Sequence, residues 1–158
     1  IKPLQQEGIP LLVRSFREPA KPGTRIDLAG QAPTQAPVII AKPQQMLVEL
    51  STKDYGFIAA NNLSRIFREL AHIGLTLNLM NTSAITFSFC SDYEPEKLEQ
   101  LRANLEDSFQ VTARAPLSML TIRHYNRAIV DQLTRNETVL LENSSGSTIQ
   151  MVLQREAI

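Results

Sequence analysis

The residues whose types and spacing invite chemistry lie in one stretch, Ser51-Thr52-Lys53-Asp54-Tyr55-Gly56-Phe57, where an alternating apolar run gives way to a helical one. Asp54 is placed to cap the following helix, and Gly56 lets backbone N–H groups come close to an outside group. A helix N-terminus beside such a loop suits a carboxylate. The bland alternative is that Asp54 is only an N-cap and Gly56 only a turn residue.

Other candidates are sparse. His72 and His124 are far apart, with no Cys, Asp or Glu at metal-ligand spacing around them. His72 reads as a residue near a helix end favouring the dipole, and Arg123-His124-Tyr125 as a solvated strand end. Cys90, the single cysteine, has no disulfide partner and reads as a strand residue in a reducing compartment. No Gly-rich phosphate loop, nucleophile elbow or carboxylate pair is present. No catalytic residue and no metal ligand is therefore expected.

The elements around the loop follow from periodicity. Met46, Val48 and Leu50 alternate as in a strand, and Ala59, Leu63, Ile66, Phe67 and Leu70 recur at helical spacing. Two more alternating runs, Leu75, Leu77, Leu79 and Ile85, Phe87, Phe89, are separated by 80–84. Leu98, Leu101 and Leu105 then share a helix face that opens at Pro95, with Asp92 as a possible cap, and 109–113 is a strand. The order strand-helix-strand-strand-helix-strand is the split βαβ sandwich of ferredoxin-like folds.

Pro116 marks a boundary, followed by a strand at 117–124, a short helix at 126–134, and strands at 138–142 and 147–153 joined by the turn Asn143-Ser144-Ser145-Gly146. This later unit is one strand short. Residues 38–41, which Lys42-Pro43 divides from the next strand, are expected to supply it. Tyr125-Asn126-Arg127-Ala128 lacks a glycine, so a second ligand loop is not expected there. Upstream, 1–26 reads as one brief strand between turns without a core, and 30–37 as a linker.

Composition bounds the rest. The 158 residues, 43% hydrophobic and 20% charged, suffice for one ordinary domain or two small ones. A formal net charge of +0 without a Lys/Arg run argues against nucleic acid as a partner. No apolar run approaches the roughly 20 residues of a membrane span, and no signal-peptide pattern opens the chain, so a cytoplasmic location is expected. The start at Ile1 suggests a piece of a longer protein.

Ile9-Pro10-Leu11-Leu12-Val13-Arg14 followed by Pro22-Gly23-Thr24-Arg25-Ile26 resembles the segment that ends the amino-acid kinase domain of aspartate kinases. The central stretch resembles their first ACT domain, through Gly56-Phe57-Ile58-Ala59, the pair Ile66-Phe67 and Thr82-Ser83-Ala84, and 117–153 is similar to the second. The resemblance implies an α+β fold of two ferredoxin-like ACT domains, with antiparallel sheets and helices on one face, one domain inserted in the other. It assigns 1–30 to the kinase-domain tail and linker, 44–115 to the first ACT domain, and 37–43 plus 116–158 to the second.

The function it implies is regulatory. The parent would phosphorylate L-aspartate to 4-phospho-L-aspartate with ATP and Mg, the first step of lysine, threonine and methionine biosynthesis, in a catalytic domain mostly missing here. This fragment would need no cofactor, would pair as a homodimer through its ACT domains, would contact its own kinase domain, with Arg123-His124-Tyr125 as one candidate contact, and would bind an amino-acid effector such as lysine or threonine. Carried over by position, the effector site comprises Lys53, Asp54, Gly56, Phe57 and Ile58 in the loop, Thr76, Leu77 and Asn78 on the next strand, and Thr82 and Ser83 in the turn.

Lysine-sensing members carry Asp where Asn78 stands and Glu where Ala84 stands, and the helix after Gly56-Phe57 is longer here by Ala60-Asn61-Asn62-Leu63. A buried ammonium needs carboxylate partners. Weak or absent lysine binding, with a neutral side chain such as threonine at least as good, is therefore expected. A purely structural dimerisation module that has lost effector binding is the alternative; an independent enzyme on this scaffold has no catalytic constellation to support it.

Overall fold

The structure is a computed structural model that describes residues 1–27 and 36–155, so most of the linker expected at 30–37 lies outside the described residues. Contacts divide the chain into two units, Ile1–Ala36 and Pro37–Ile158.

The first unit holds helix α1 (Lys2–Gln6), with a proline in its first turn, and strands β1 (Leu11–Val13) and β2 (Thr24–Ile26), paired antiparallel with Leu11 opposite Ile26. Sequence reading expects one strand and no helix here. Three-residue strands and a five-residue helix are too short for periodicity to register. None of the unit's described residues is buried, in keeping with a segment that forms no core alone.

The second unit is a six-stranded antiparallel sheet in the order β4-β5-β3-β6-β8-β7. Its elements are β3 (Val38–Thr52), α2 (Ala60–Ile73), β4 (Leu77–Thr82), β5 (Thr86–Asp92), α3 (Pro95–Leu105), β6 (Phe109–Arg123), α4 (Arg127–Leu133), β7 (Glu137–Ser145) and β8 (Thr148–Arg155). Two 15-residue strands, β3 and β6, run through both halves of this sheet. Pro43 and Pro116, expected to end strands, do not. Register shifts lie between Lys42 and Gln45 and between Gln45 and Leu47, and neither proline is a ladder partner. A residue without an N–H costs the sheet nothing at a bulge.

The bulge divides the pairing. Beyond it, 45–51 of β3 pairs with β5 on one side, and 47–52 with 109–114 of β6 on the other. Before it, Val38 faces Arg123, Ile39 Ile122, Ile40 Thr121 and Ala41 Leu120. Residues 38–41 thus join the strands of the later half rather than those of the earlier one, as the missing-strand argument requires.

Three apolar clusters follow. Met46, Val48, Leu50, Phe87, Phe89 and Phe109 on one sheet face pack with Ile66 and Leu70 of α2 and Leu98, Leu101 and Leu105 of α3. Leu120, Ile122, Ile149 and Met151 pack with Val130 of α4. On the helix-free face, Leu47, Leu79 and Cys90 of the first half meet Leu117, Met119 and Val152 of the second. The sheet curls enough that Leu77, Asn78 and Met80 of β4 line one hollow with Asn143 of β7 and Gln150 of β8. Cys90 is fully buried, and burial pushes its thiol up to about 11, so it packs as a small apolar group.

Candidate functional site

The loop after β3 is built from its base upward. Lys53 N–H donates to Ser108 O at 3.0 Å, and Lys53 Nζ donates to Glu106 O, which fixes the loop to the turn before β6. That turn is held in its own right. Arg65 of α2 donates to Ser108 Oγ and to Asp107 Oδ1, each at 2.7 Å, and its guanidinium lies 6.0 Å from the Phe109 ring centroid. Tyr55 then takes a left-handed φ of 58°, and Thr52 Oγ1 donates to Gly56 O at 2.8 Å.

Asp54 does not cap the helix. Its Oδ1 accepts from Gly56 N–H at 3.0 Å, a local turn two residues long, and first this bond and then the Thr52 hydroxyl hold the carboxyl below its ordinary value. The N-cap is Ala59, five residues later, whose N–H is taken by Asn62 Oδ1 at 3.1 Å. Asn62, in the second position of the pair Asn61-Asn62, thus does the capping. Nor does Asp92 cap α3, whose N-cap is Glu94.

The turn after β4 meets this loop. Ile58 N–H donates to Ala84 O at 2.8 Å, and Ser83 Oγ accepts from Thr86 N–H at 3.0 Å while Ser83 N–H donates to Thr86 O at 2.8 Å. Lys53, Asp54, Gly56 and Ile58 therefore lie in one region with Thr82 and Ser83, with Phe57 three-quarters exposed at its rim. A cleft of about 610 Å³ opens here, lined by Ser51, Thr52, Lys53, Tyr55, Gly56, Ile85, Thr86 and Gln110.

Thr76, Leu77 and Asn78 are elsewhere. Asn78 sits four residues before Thr82, about 13 Å along a strand, and its side chain is committed. Asn78 Nδ2 donates to Gln45 Oε1 at 2.8 Å and to Asp92 Oδ1 at 3.0 Å, while Asn78 Oδ1 accepts from Lys42 Nζ at 3.1 Å. Lys42 Nζ lies 2.6 Å from Asp92 Oδ1, and Gln45, 1% exposed, donates to the same oxygen at 2.9 Å. Lys42 first, then Gln45 and Asn78, hold the Asp92 carboxyl at about 2. This cluster satisfies polar groups at the bulge, where the ladder is interrupted.

Sequence reading missed Thr86 and Gln110 of the cleft, and placed Ser51 in the loop stretch without making it an effector-site residue. Their convergence depends on the register that sets Ser51 opposite both Thr86 and Gln110, which alternation within one strand does not reveal. Among the described residues no group of three or more His, Cys, Asp or Glu could hold a metal ion, and no helix is long and apolar enough to cross a membrane.

Solved structures share this architecture. Aspartate kinase from Clostridium acetobutylicum superposes with a TM-score of 0.75 at 14% identity, over 96% of this chain and 39% of that one. A putative C-terminal regulatory domain of aspartate kinase from Porphyromonas gingivalis W83 gives a TM-score of 0.65 at 13% identity, over 77% of this chain and 88% of that one. The fold is that of aspartate kinase regulatory regions.

E. coli aspartokinase III, solved in complex with lysine and aspartate, has this same fold with a TM-score of 0.73 at 16% identity, over 96% of this chain and 37% of that one. The chain therefore spans about two fifths of the length of the whole aspartate kinases it matches. No family model matches it, and no curated protein does.

Proposed function

We propose that this chain is the regulatory region of an aspartate kinase, an amino-acid-binding and dimerisation module that acts by ligand-biased geometry rather than by chemistry. The observation that carries the reading is the cleft between the loop after β3 and the β4–β5 turn, two segments joined by Ile58 N–H to Ala84 O. A ligand seated there touches both and so can shift one against the other. Lysine in the matching E. coli structure supports an amino acid as the occupant. Phosphorylation of aspartate, with its ATP and magnesium, belongs in this reading to a catalytic domain outside the chain. No cation or nucleotide step is assigned to these residues.

Pairing of two copies is expected through the open edge of β4, where Met80 is half exposed. A purely structural role is the second reading, and one observation favours it: Gly56 N–H, expected to meet a ligand, is already taken by Asp54. Sedimentation velocity separates the two. The chain is expected to run as a homodimer at tens of micromolar (a rough range for a modest interface), with its dimer fraction moved by lysine, threonine or methionine. A dimer indifferent to all three supports the structural role; a monomer under every condition refutes both.

A further inference from the structure

Three strands run side by side from the cleft to the middle of the sheet. At the cleft end β3 leads into the 53–58 loop, and β4 joins β5 through the turn at 83–85. At the other end stand Gln45 of β3, Asn78 of β4 and Asp92 of β5, with Gln45 directly opposite Asp92. Leu77 pairs with Ser91 and Leu79 with Cys90, so Asn78 is skipped in the ladder and β4 bulges at the level where β3 and β6 also lose register. Gln44, inside the β3 irregularity, takes a left-handed φ of 56°, and its carbonyl oxygen accepts from Tyr93 N–H at 2.9 Å. The ladder is thus interrupted in three strands at one level, where the two halves of the sheet meet.

Lys42 spans this level. Its backbone belongs to the later half, opposite Met119 of β6, while its ammonium reaches into the earlier one, 2.6 Å from Asp92 Oδ1 and 3.1 Å from Asn78 Oδ1. Both acceptors sit on the β4–β5 hairpin, whose turn borders the cleft. Gln45 fixes them relative to the bulge: its Nε2 donates to Asp92 Oδ1 at 2.9 Å and to Pro43 O at 3.2 Å, and its Oε1 accepts from Asn78 Nδ2 at 2.8 Å. A buried amide with its partners in place makes the group move as one. The Lys42–Asp92 pair is half exposed and adds little to stability as such. What singles it out is its position across the bulge.

Resting on the amino-acid-binding reading above, we propose that the β4–β5 hairpin carries movement at the cleft to the later half of the sheet, with Lys42 as the positioning residue that links the two. The turn at 83–85 is tied to the loop by Ile58 N–H to Ala84 O, so a ligand that shifts the loop shifts the turn. The hairpin transmits that shift along its length, because its strands are paired from Leu77–Ser91 to Thr82–Phe87. At the far end Asn78 and Asp92 draw on Lys42, and the interrupted ladder lets 38–42 follow together with the strand that it pairs with.

Nitroxide labels at Gln100→Cys on α3 and Gln132→Cys on α4, both exposed, report the spacing of the halves by pulsed electron resonance, and the fully buried Cys90 stays unlabelled. Saturating lysine, threonine or methionine, whichever calorimetry finds bound, is expected to shift the label distance by about 2 Å, the scale of element shifts in switching proteins. Lys42→Met should abolish the shift while keeping ligand affinity within about threefold, and Lys42→Arg should keep part of it. A shift that persists in Lys42→Met, or a bound ligand that leaves the labels unmoved with Lys42 present, overturns the inference and leaves the amino-acid-binding reading standing. Loss of binding in Lys42→Met also overturns it, by placing Lys42 in the ligand site. If lysine, threonine and methionine all fail to bind, that reading falls with it.

Discussion

Phe87→Ala is expected to lower the stability of the chain by about 3–5 kcal/mol, the range for emptying a fully buried aromatic site. Phe87, the second residue of β5, is fully buried, and its ring lies 5.4 Å from Phe67 of α2, edge to face, and 6.0 Å from Phe89. Truncation removes both ring contacts and leaves a void between α2 and a strand paired on both sides, where little can collapse to fill it. Urea denaturation should show a lower midpoint with an unchanged slope. A loss below about 1 kcal/mol would mean that α2 does not pack on β5 as described.

The second large effect is electrostatic. Asn78→Asp replaces an amide that donates to Asp92 Oδ1 at 3.0 Å and to Gln45 Oε1 at 2.8 Å with a group that only accepts when ionised. Gln45 is buried and loses a donor, and two carboxylates come to face one another with Lys42 as their one shared cation. A loss of about 2 kcal/mol near neutral pH is expected.

The pH dependence identifies the cause. The introduced carboxyl has its folded-state pKa raised by Asp92, so the folded variant binds its proton before the unfolded chain does, and the deficit shrinks as pH falls from 7 toward 5. The unmodified cluster behaves oppositely. Asp92, held at about 2 against an ordinary 3.8, contributes stability that is present above 3.8 and lost as pH falls from there toward 2. Its side chain is half exposed, so screening keeps that contribution small. A deficit that does not change between pH 7 and 5 would place the damage in packing rather than in charge.

Much of the fold is legible in the chain because its apolar spacing is unambiguous. Leu98, Leu101 and Leu105 are all buried on one side of α3, and Met46, Val48 and Leu50 on one side of β3, as their periodicity requires. Pro43 and Pro116 misled because a proline reads as a break unless the facing strand bulges at the same level. That pairing joins residues about 70 positions apart and leaves no local trace. Helix starts misled for a related reason. Asp54 and Asp92 both stand near a helix, but one closes its own turn and the other answers Lys42, Gln45 and Asn78.

The candidate site divides along the same line. The loop from Lys53 to Ile58 and its neighbour turn at Thr82-Ser83 are contiguous enough for motif and spacing to find. Asn78 looks like a ligand residue in sequence because it stands on the strand leading to that turn. Its partners, 36 and 33 positions before it and 14 after it, are set by register alone.

Amide hydrogen exchange on the chain, with and without saturating amino acid, tests the central claim most directly, because it locates the ligand as well as detecting it. Bound amino acid is expected to slow exchange at 51–58 and 82–86, the loop and the turn that enclose the cleft. The backbone around Asn78 and the start of α4 at Arg127 should be unaffected. Protection centred on Asn78 or α4, or no change anywhere with lysine, threonine or methionine, would contradict the account.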